Sequence, residues 1–142
     1  MLYARIDLYK TNYTALDCWQ YITNPDIDQL NSLYMSYCRY RNFRSVMPIF
    51  DIEYTDPNSD IIGYYIDDAM VAFSLIRRYN NLEAECIQFA WNYNDPKLKL
   101  GIASLKNECA IYKYRGFRYL YLGSADEYKK QIVGFEILGP VQ

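Results

Sequence analysis

Residues 82–103 have the sequence LEAECIQFAWNYNDPKLKLGIA, and this stretch decides the predicted fold. Residues 82–91 alternate between polar and apolar side chains for most of their length, which is typical of a β-strand. Residues 92–100 are polar and turn-like, and Gly101 then begins a segment whose apolar residues recur at helical spacing. The stretch therefore predicts a strand, a loop and a helix in this order.

The helix after Gly101 has one apolar stripe, and Gly116 is expected to end it. The stripe consists of Ile102, Leu105, Cys109 and Tyr112. Beyond the helix, the pattern predicts a short buried strand over residues 118–122, a last helix from Ser124 to about Ile132 and a final strand over residues 135–138. The C-terminal part of the chain is thus predicted to alternate between strands and helices.

Three strands joined by tight turns are predicted in the middle of the chain. Residues 61–66, 69–78 and 82–91 form the strands, and Asp67-Asp68 and Asn80-Asn81 form the two-residue turns. Consecutive strands joined in this way make an antiparallel meander.

The N-terminal region is predicted to begin with a half-buried strand, because residues 2–9 alternate between apolar and polar side chains. Thr11 or Asn12 is expected to cap a short helix that reaches about Ile22. Residues 47–54, MPIFDIEY, predict a further strand.

A second, longer helix is predicted between these elements. Asn24 is expected to be its N-cap and Pro25 its first residue, since proline is tolerated where the missing N–H has no helical partner. Apolar residues at three- and four-residue spacing continue to about Arg41 or Asn42, which predicts an amphipathic helix.

The composition excludes several kinds of catalytic site. The chain has no histidine, which excludes Ser-His and Cys-His triads, histidine general bases and the commonest metal ligand. Its four cysteines are widely separated in apolar stretches, so they predict buried free thiols and no metal site. Any proton transfer must therefore use carboxylate, tyrosine, lysine, cysteine or water.

The charge and hydropathy of the chain bear on its partners. A net charge of −2 gives no global positive field that would recruit nucleic acid or an anionic membrane. An opening signal segment and an apolar run long enough to span a bilayer are both missing from the sequence, so we expect a cytoplasmic protein with no membrane partner.

The order of the predicted elements resembles that of the GNAT fold, and one segment resembles its pyrophosphate loop, Q/R-x-x-G-x-G/A. Gly101 and Ala103 match the two small positions of that loop, while Leu98 stands where glutamine or arginine is usual. The resemblance implies an α/β (α+β) GNAT fold, with a mixed, mostly antiparallel sheet flanked by helices. It also implies a single acyltransferase domain over residues 1–142.

The resemblance further implies acetyl-CoA, or another acyl-CoA, as the donor and co-substrate. A helix N-terminus offers unpaired N–H groups and a partial positive charge to a diphosphate, and small residues let the diphosphate approach. In GNAT enzymes the donor's pantetheine arm lies in a gap beside the central strand. The donor-binding residues implied here are Phe89, Ala90, Trp91, Asn92, Lys97, Lys99, Leu100, Gly101, Ile102, Ala103 and Ser104.

Transfer of an acyl group to an amine acceptor requires a base for the amine and an acid for the leaving thiolate. Glu83 and Glu85 lie two apart on the strand before the donor site, where GNAT enzymes often carry their base, and they share one face. Tyr128 lies on the last predicted helix, where many GNAT members place a tyrosine acid. Plain surface exposure is the alternative for the two glutamates, and chance placement is the alternative for a tyrosine in a chain that has 17.

A second resemblance concerns the GNAT-fold half of the arginyl- and leucyl-tRNA–protein transferases. Its matching residues are Tyr93, Asp95-Pro96, Leu100-Gly101, Ser104, Glu108, Gly116 and Tyr119-Leu120-Tyr121-Leu122-Gly123. It implies transfer of an amino acid from aminoacyl-tRNA as the alternative function, and a non-catalytic GNAT-fold binding domain is the third. GNAT proteins often pair by sheet extension, so a homodimer is also expected by resemblance.

Overall fold

The structure is a computed structural model that describes residues 2–41, 51–92, 100–124 and 127–140. The described strands are β1 Leu2–Asp7, β2 Trp19–Tyr21, β3 Ser59–Ile66, β4 Ala69–Arg78, β5 Glu83–Trp91, β6 Tyr119–Ser124 and β7 Phe135–Pro140. The described helices are α1 Ile27–Arg41, α2 Asp51–Thr55 and α3 Leu100–Tyr114, with 3₁₀-helices at Leu8–Lys10 and Glu127–Gln131.

All seven strands belong to one sheet, in the order β2-β3-β4-β5-β6-β1-β7. The pair β5 and β6 is parallel, and the other neighbouring strands are antiparallel. The prediction of a mixed, mostly antiparallel sheet flanked by helices is therefore confirmed.

The central meander of β3, β4 and β5 agrees with the prediction. Asp67 and Asp68 both have positive φ, at 50° and 65°, which is the conformation required by a two-residue hairpin of type I′. The next turn is longer than predicted. Asn80 accepts hydrogen bonds from the N–H groups of Leu82 and Glu83 at 2.8 Å, so its side chain orders a four-residue connection.

Two apolar clusters cover the two faces of the sheet. Ile62, Tyr64, Ala72 and Ile76 pack under α3 with Leu105, Cys109 and Tyr112. Ile61, Phe73, Leu75 and Ala90 point to the opposite face and pack with Leu30, Tyr34 and Cys38 of α1 and with Tyr54 of α2. The sheet is therefore the middle layer of three, because successive residues of β3 and β4 alternate between the two clusters.

Helix α1 begins two residues later than predicted. Asp26 is its N-cap, since the carboxylate of Asp26 accepts a hydrogen bond from the N–H of Gln29 at 3.2 Å. Asn24 and Pro25 therefore precede the helix. Asp26 caps the helix because its side chain can reach the third N–H of the helix, that of Gln29.

The predicted helix from Thr11 or Asn12 to Ile22 is wrong. Residues 11–18 are irregular and residues 19–21 form β2, which pairs with β3. Tertiary hydrogen bonds hold this segment: the N–H of Leu16 donates to the side-chain oxygen of Asn107 at 2.6 Å, and the N–H of Tyr65 donates to Cys18 O at 2.8 Å. These bonds outweigh a weak local helix preference.

Two further elements differ from the prediction. Residues 51–55 form α2 instead of a strand, while residues 47–50 lie outside the described residues. A short apolar run has no period that separates helix from strand, and here Tyr54 packs on Phe73 with ring centroids 6.2 Å apart. The predicted last helix is only the 3₁₀-helix Glu127–Gln131, and Ser124 ends β6.

Asp60 of β3 anchors the C-terminal end of α3 to the sheet. Its Oδ2 accepts hydrogen bonds from the hydroxyl of Tyr112 at 2.6 Å and from the guanidinium of Arg115 at 2.8 Å. The guanidinium of Arg78 on β4 lies 3.3 Å from the same oxygen. Helix α3 is thereby fixed relative to β3 and β4. Strands β2 and β7 are the outer described strands, and the homodimer and the single-domain boundary stay predictions.

Gly134 allows the chain to return from the second 3₁₀-helix onto β1, and its substitution should destabilise the fold. Gly134 has φ +84°, and a Cβ there would lie 2.5 Å from Asp7 O. Gly139 has φ +86° and open space around a Cβ. We expect Gly139→Ala to cost about 1 to 2 kcal/mol through its left-handed backbone, and Gly134→Ala to cost about 1 to 3 kcal/mol more through the clash. Urea unfolding of both variants measures the difference, and equal losses would contradict the clash.

Candidate active site between β5 and β6

The candidate site begins where β5 and β6 part. These strands pair over three residue pairs, Glu83↔Tyr119, Ala84↔Leu120 and Glu85↔Tyr121. Beyond that point β5 continues over residues 86–91 and β6 over residues 122–124 with no pairing between them. The sheet is therefore joined at one end of this strand pair and open at the other.

A β-bulge in β5 lies at the point of parting. Leu75 of β4 pairs with Gln88, and Ile76 pairs with Cys86, so Ile87 has no partner residue in β4. A bulge bends and twists its strand, which turns β5 away from β6. The alternation of side chains also shifts there: Cys86 and Phe89 pack on the α3 side, while Ile87 packs on the α1 side.

A cavity of about 360 Å³ lies in this opening between the two strands. Strand β5, strand β6, helix α3, helix α1 and the second 3₁₀-helix all contribute to its wall. The lining residues are Tyr37, Glu85, Cys86, Ile87, Gln88, Phe89, Gly101, Ser104, Leu105, Glu108, Leu122, Gly123 and Lys129. The walls of this cavity thus come from both halves of the sheet.

The N-terminal turn of α3 forms one end of the cavity. Gly101 lines it, and a Cβ built at Gly101 would meet no atom of the described residues within 4 Å. The first N–H groups of a helix have no partners within the helix, and they carry a partial positive charge. This turn can therefore receive an anionic group next to an open glycine.

Four of the residues predicted from the sequence line the cavity: Glu85, Phe89, Gly101 and Ser104. Ala90 and Trp91 continue β5 as buried residues, Asn92 follows them, and Ile102 and Ala103 lie in the first turn of α3. Lys97 and Lys99 lie outside the described residues. Leu100 and Tyr128 are described as parts of α3 and of the second 3₁₀-helix, and Lys129, next to Tyr128, lines the cavity.

The two predicted base candidates have different surroundings. Glu83 lies at the joined end of the strands, where its carboxylate accepts hydrogen bonds from Tyr121 at 2.6 Å and from Asn80 at 3.1 Å. The bond from Tyr121 is the main cause that lowers the pKa of Glu83. Glu85 lines the cavity and accepts a hydrogen bond from the hydroxyl of Tyr79. Only Glu85 of this pair therefore reaches the cavity wall.

Glu108 lines the cavity, although from the sequence it is only a matching residue of the second resemblance and not a catalytic candidate. It is 3% exposed, yet it lines the cavity from α3. Its Oε2 accepts hydrogen bonds from the hydroxyl of Tyr64 at 2.6 Å and from the hydroxyl of Ser74 at 2.8 Å. Its Oε1 lies 3.7 Å from the thiol of Cys86, which donates to it. Three adjacent strands therefore each place one neutral donor on this carboxyl group.

Burial raises the pKa of Glu108 to about 7, while the bonds from Tyr64, Ser74 and Cys86 act in the opposite direction. Burial also raises the pKa of the Cys86 thiol, and the carboxyl group of Glu108 adds to that effect. Near neutral pH both protonation states of Glu108 are therefore populated, whereas Cys86 stays a thiol. A buried carboxyl group with this behaviour in a cavity marks a functional site in many proteins.

One signal in the sequence could have found Glu108. It lies among the apolar residues of the inner stripe of α3, between Leu105 and Tyr112, and directly before Cys109. A charged residue on a buried helix face needs hydrogen-bond partners or a functional reason. The partners themselves, on β3, β4 and β5, could not be assigned without the sheet.

The described parts of the chain contain no group of three or more cysteine, aspartate or glutamate residues arranged to hold a metal ion. Among the same residues, none of the helices has the length and apolar character needed to cross a bilayer.

Comparison with known proteins identifies the fold. A putative acetyltransferase of the GNAT family from Novosphingobium aromaticivorans superposes with a TM-score of 0.65 over 95% of this chain, at 17% identity. The chain has the GNAT fold. A GNAT family acetyltransferase from Elizabethkingia anophelis, solved with acetyl-CoA bound, has a TM-score of 0.53 over 82% of this chain and 71% of its own, at 12% identity.

A second type of neighbour has the same fold. The C-terminal domain of a putative lysylphosphatidylglycerol synthetase from Agrobacterium fabrum gives a TM-score of 0.60 over 87% of this chain, at 15% identity. The chain spans 46% of that neighbour and 58% of the Novosphingobium protein. No protein-family model and no curated protein sequence matches the chain.

The buried carboxyl group should make the free energy of unfolding depend on pH. The pKa of Glu108 rises from an ordinary 4.5 to about 7 on folding, so between these values the folded state holds a proton that the unfolded chain has lost. The protonated carboxyl group of Glu108 contributes fully to the free energy of unfolding below the pKa that it has in the unfolded chain. This contribution is lost as pH rises through the pKa that it has in the folded protein. We expect a loss of about 3 kcal/mol across this window.

Glu108→Gln should remove this dependence and make the protein more stable than the wild type at about pH 8. Urea unfolding at several pH values measures it. Glu53→Gln is the matched control, because Glu53 lies on α2 and faces Arg77 at 4.0 Å, away from the cavity. A wild-type protein with constant stability across the window would contradict the buried, protonated state.

Proposed function

We propose that this protein is an N-acyltransferase that moves an acetyl or other acyl group from coenzyme A to an amine acceptor. The observation that carries this proposal is the cavity between the parted strands β5 and β6, with the N-terminal turn of α3 at one end. An elongated donor with an anionic end suits such a space. A GNAT-fold neighbour with acetyl-CoA bound supports the same donor class.

Two features of the chain fit coenzyme A. Within the described residues, β5 stops pairing with β6 after Glu85, so an extended ligand that contains amides can pair with the backbone of β5 on that side. At the end of the gap, the first turn of α3 provides N–H groups for a diphosphate, and Gly101 leaves room for it. The side-chain amide of Gln88 donates to Phe89 O at 2.8 Å, so the ligand must pair at other groups or displace this contact.

Transfer of an aminoacyl group is the second candidate. The carboxyl groups of Glu85 and Glu108 line the cavity together with one lysine, Lys129. Such a wall favours an acyl group that carries an ammonium. The resemblance of residues 93–123 to aminoacyl-tRNA–protein transferases points in the same direction.

The decisive experiment is titration calorimetry with acetyl-CoA, together with thermal unfolding. We expect binding, with a higher melting temperature at saturating ligand, because a ligand that binds only the folded state stabilises it. Failure of the wild type to bind acetyl-CoA would contradict the main proposal. Salt-sensitive binding of an aminoacyl-tRNA in its place would favour the second candidate, since phosphate contacts weaken as salt rises.

Gly101→Glu tests the position of the diphosphate. A Cβ at this position meets no described atom, so the fold should persist, while the negative charge of the new side chain lies at the proposed place of the anionic ligand. We expect the affinity for acetyl-CoA to fall at least about tenfold through bulk and like-charge repulsion. Gly101→Gln is the matched control, because it adds nearly the same bulk without charge and should bind more tightly than Gly101→Glu. Unchanged affinity in both variants would show that the diphosphate binds elsewhere.

A further inference from the structure

Glu108 occupies a distinct place in the cavity. It lies seven residues after Gly101 on α3, which corresponds to roughly 10 Å along the helix axis. A ligand with its anionic end at Gly101 and its body in the gap between the strands therefore extends past Glu108. The carboxyl group is thus placed beside the body of the ligand and away from its phosphate end.

We propose that Glu108 is the acid–base residue of the transfer, which accepts the proton lost by the acceptor amine and delivers it to the leaving thiolate. The inference rests on the proposed function, because it assigns the proton transfers of that reaction. The base candidates from the sequence, Glu83 and Glu85, do not include it.

One acid–base group can balance the protons of this reaction. The nitrogen of a neutral amine forms a bond to the thioester carbonyl carbon, and the carbon–sulfur bond breaks with its electron pair going to sulfur. The nitrogen then has one proton too many and the sulfur one too few. Glu108, starting as carboxylate, takes the first proton and returns it to the second atom, so it ends the cycle as it began.

The hydrogen bonds of Glu108 suit this role. The donors Tyr64, Ser74 and Cys86 hold the carboxyl group from three strands, so its position is fixed before a ligand enters. Asn107 donates to the hydroxyl oxygen of Tyr64 at 3.1 Å, which orients that hydroxyl in turn. An acid–base group that is already held in position lowers the entropic cost of reaching the reactive geometry.

Other ionisable groups near the site are less suited. Glu83 is held by Tyr121 at the joined end of the strands, outside the cavity lining. Glu85 also lines the cavity, but its described donor is the exposed hydroxyl of Tyr79, whereas donors on three strands hold Glu108 in position. The thiols of Cys86 and Cys109 both have raised pKa values through burial, and Tyr64 has a raised pKa for the same reason, so these groups stay protonated.

Among the described residues, the other ionisable groups of the cavity wall are Lys129 of the second 3₁₀-helix and Tyr37 of α1. Lys129 donates to Leu122 O at 3.4 Å, and its positive charge lowers the pKa of Cys86 without being a cause of the shift at Glu108. The raised pKa of Glu108, about 7, supports the role, because both of its protonation states are populated near neutral pH. The chain has no histidine that could serve instead.

The first test measures thiol release from acetyl-CoA with a panel of primary amines across a pH series. For the wild type we expect the rate to rise with pH through an apparent pKa near that of Glu108. Glu108→Gln should lower the rate about 100-fold and abolish this rise, which is the limb of the pH–rate profile that Glu108 controls. Its calorimetric affinity for acetyl-CoA should stay within about threefold of the wild type. Glu53→Gln, altered away from the cavity, should keep both the rate and the limb.

A second variant separates chemistry from structure. Ser74→Ala removes a hydrogen bond that lowers the pKa of Glu108, so the limb of the pH profile should move to higher pH while the protein stays folded. A merely structural role for Glu108 would not move the limb. Thermal unfolding of each variant verifies that it is folded under the assay conditions.

A third measurement needs no ligand and no turnover. Infrared difference spectra of the free protein follow the carbonyl stretch of protonated carboxyl groups as pH is raised. We expect one such band to disappear near neutral pH in the wild type and in Glu53→Gln, and to be missing from Glu108→Gln.

The outcomes distinguish the two proposals. If acetyl-CoA binds and Glu108→Gln keeps the wild-type rate or pH limb, the role of Glu108 is overturned and the proposed function stands. Loss of the limb in Glu83→Gln or Glu85→Gln, with Glu108→Gln unaffected, overturns it as well. If the wild type binds no acetyl-CoA, the proposed function fails and the role of Glu108 fails with it.

Discussion

The short parallel pairing of β5 with β6 is the constraint on which the rest of the molecule depends. Three residue pairs hold the strands at one end, and the bulge at Ile87 turns β5 away at the other. Because the strands stay joined, β6, β1 and β7 belong to the same sheet as β2 to β5. Because they part, the backbone of β5 and the first turn of α3 face the same open space. The cavity is a direct consequence of how far the pairing extends.

Helix α3 packs on the sheet mainly through apolar residues, but two carboxyl groups also form hydrogen bonds between the helix and the strands. At its C-terminal end, Tyr112 and Arg115 bind Asp60, and this arrangement uses the charge of the carboxylate for anchoring. At its middle, the described donors to Glu108 are the neutral groups of Tyr64, Ser74 and Cys86. The first carboxylate has cationic partners and the second has a raised pKa. The same helix therefore carries one structural acid and one that can exchange protons.

Much of the fold could be predicted where local pattern and tertiary structure agree. The meander, α1 and α3 have a long period or a strong turn signal, such as Asp67-Asp68 with two positive φ values. Residues 11–22 could not be predicted, because their hydrogen bonds go to Asn107, Tyr65 and β3, which are distant in sequence. Short segments such as α2 have too few residues for a period to be recognised.

The candidate site divides in the same way. Gly101 and Phe89 were predicted from a motif and its strand, and both line the cavity. Glu108 could be named from the sequence only as a motif match, because its donors lie on three strands that only the sheet brings together. Since side chains alternate along a strand, a slip of one residue between β5 and β6 would turn Leu120 and Leu122 away from the cluster under α3. Leu122 belongs both to that cluster and to the cavity lining, so one error of register would expose apolar core surface and remove part of the cavity wall together.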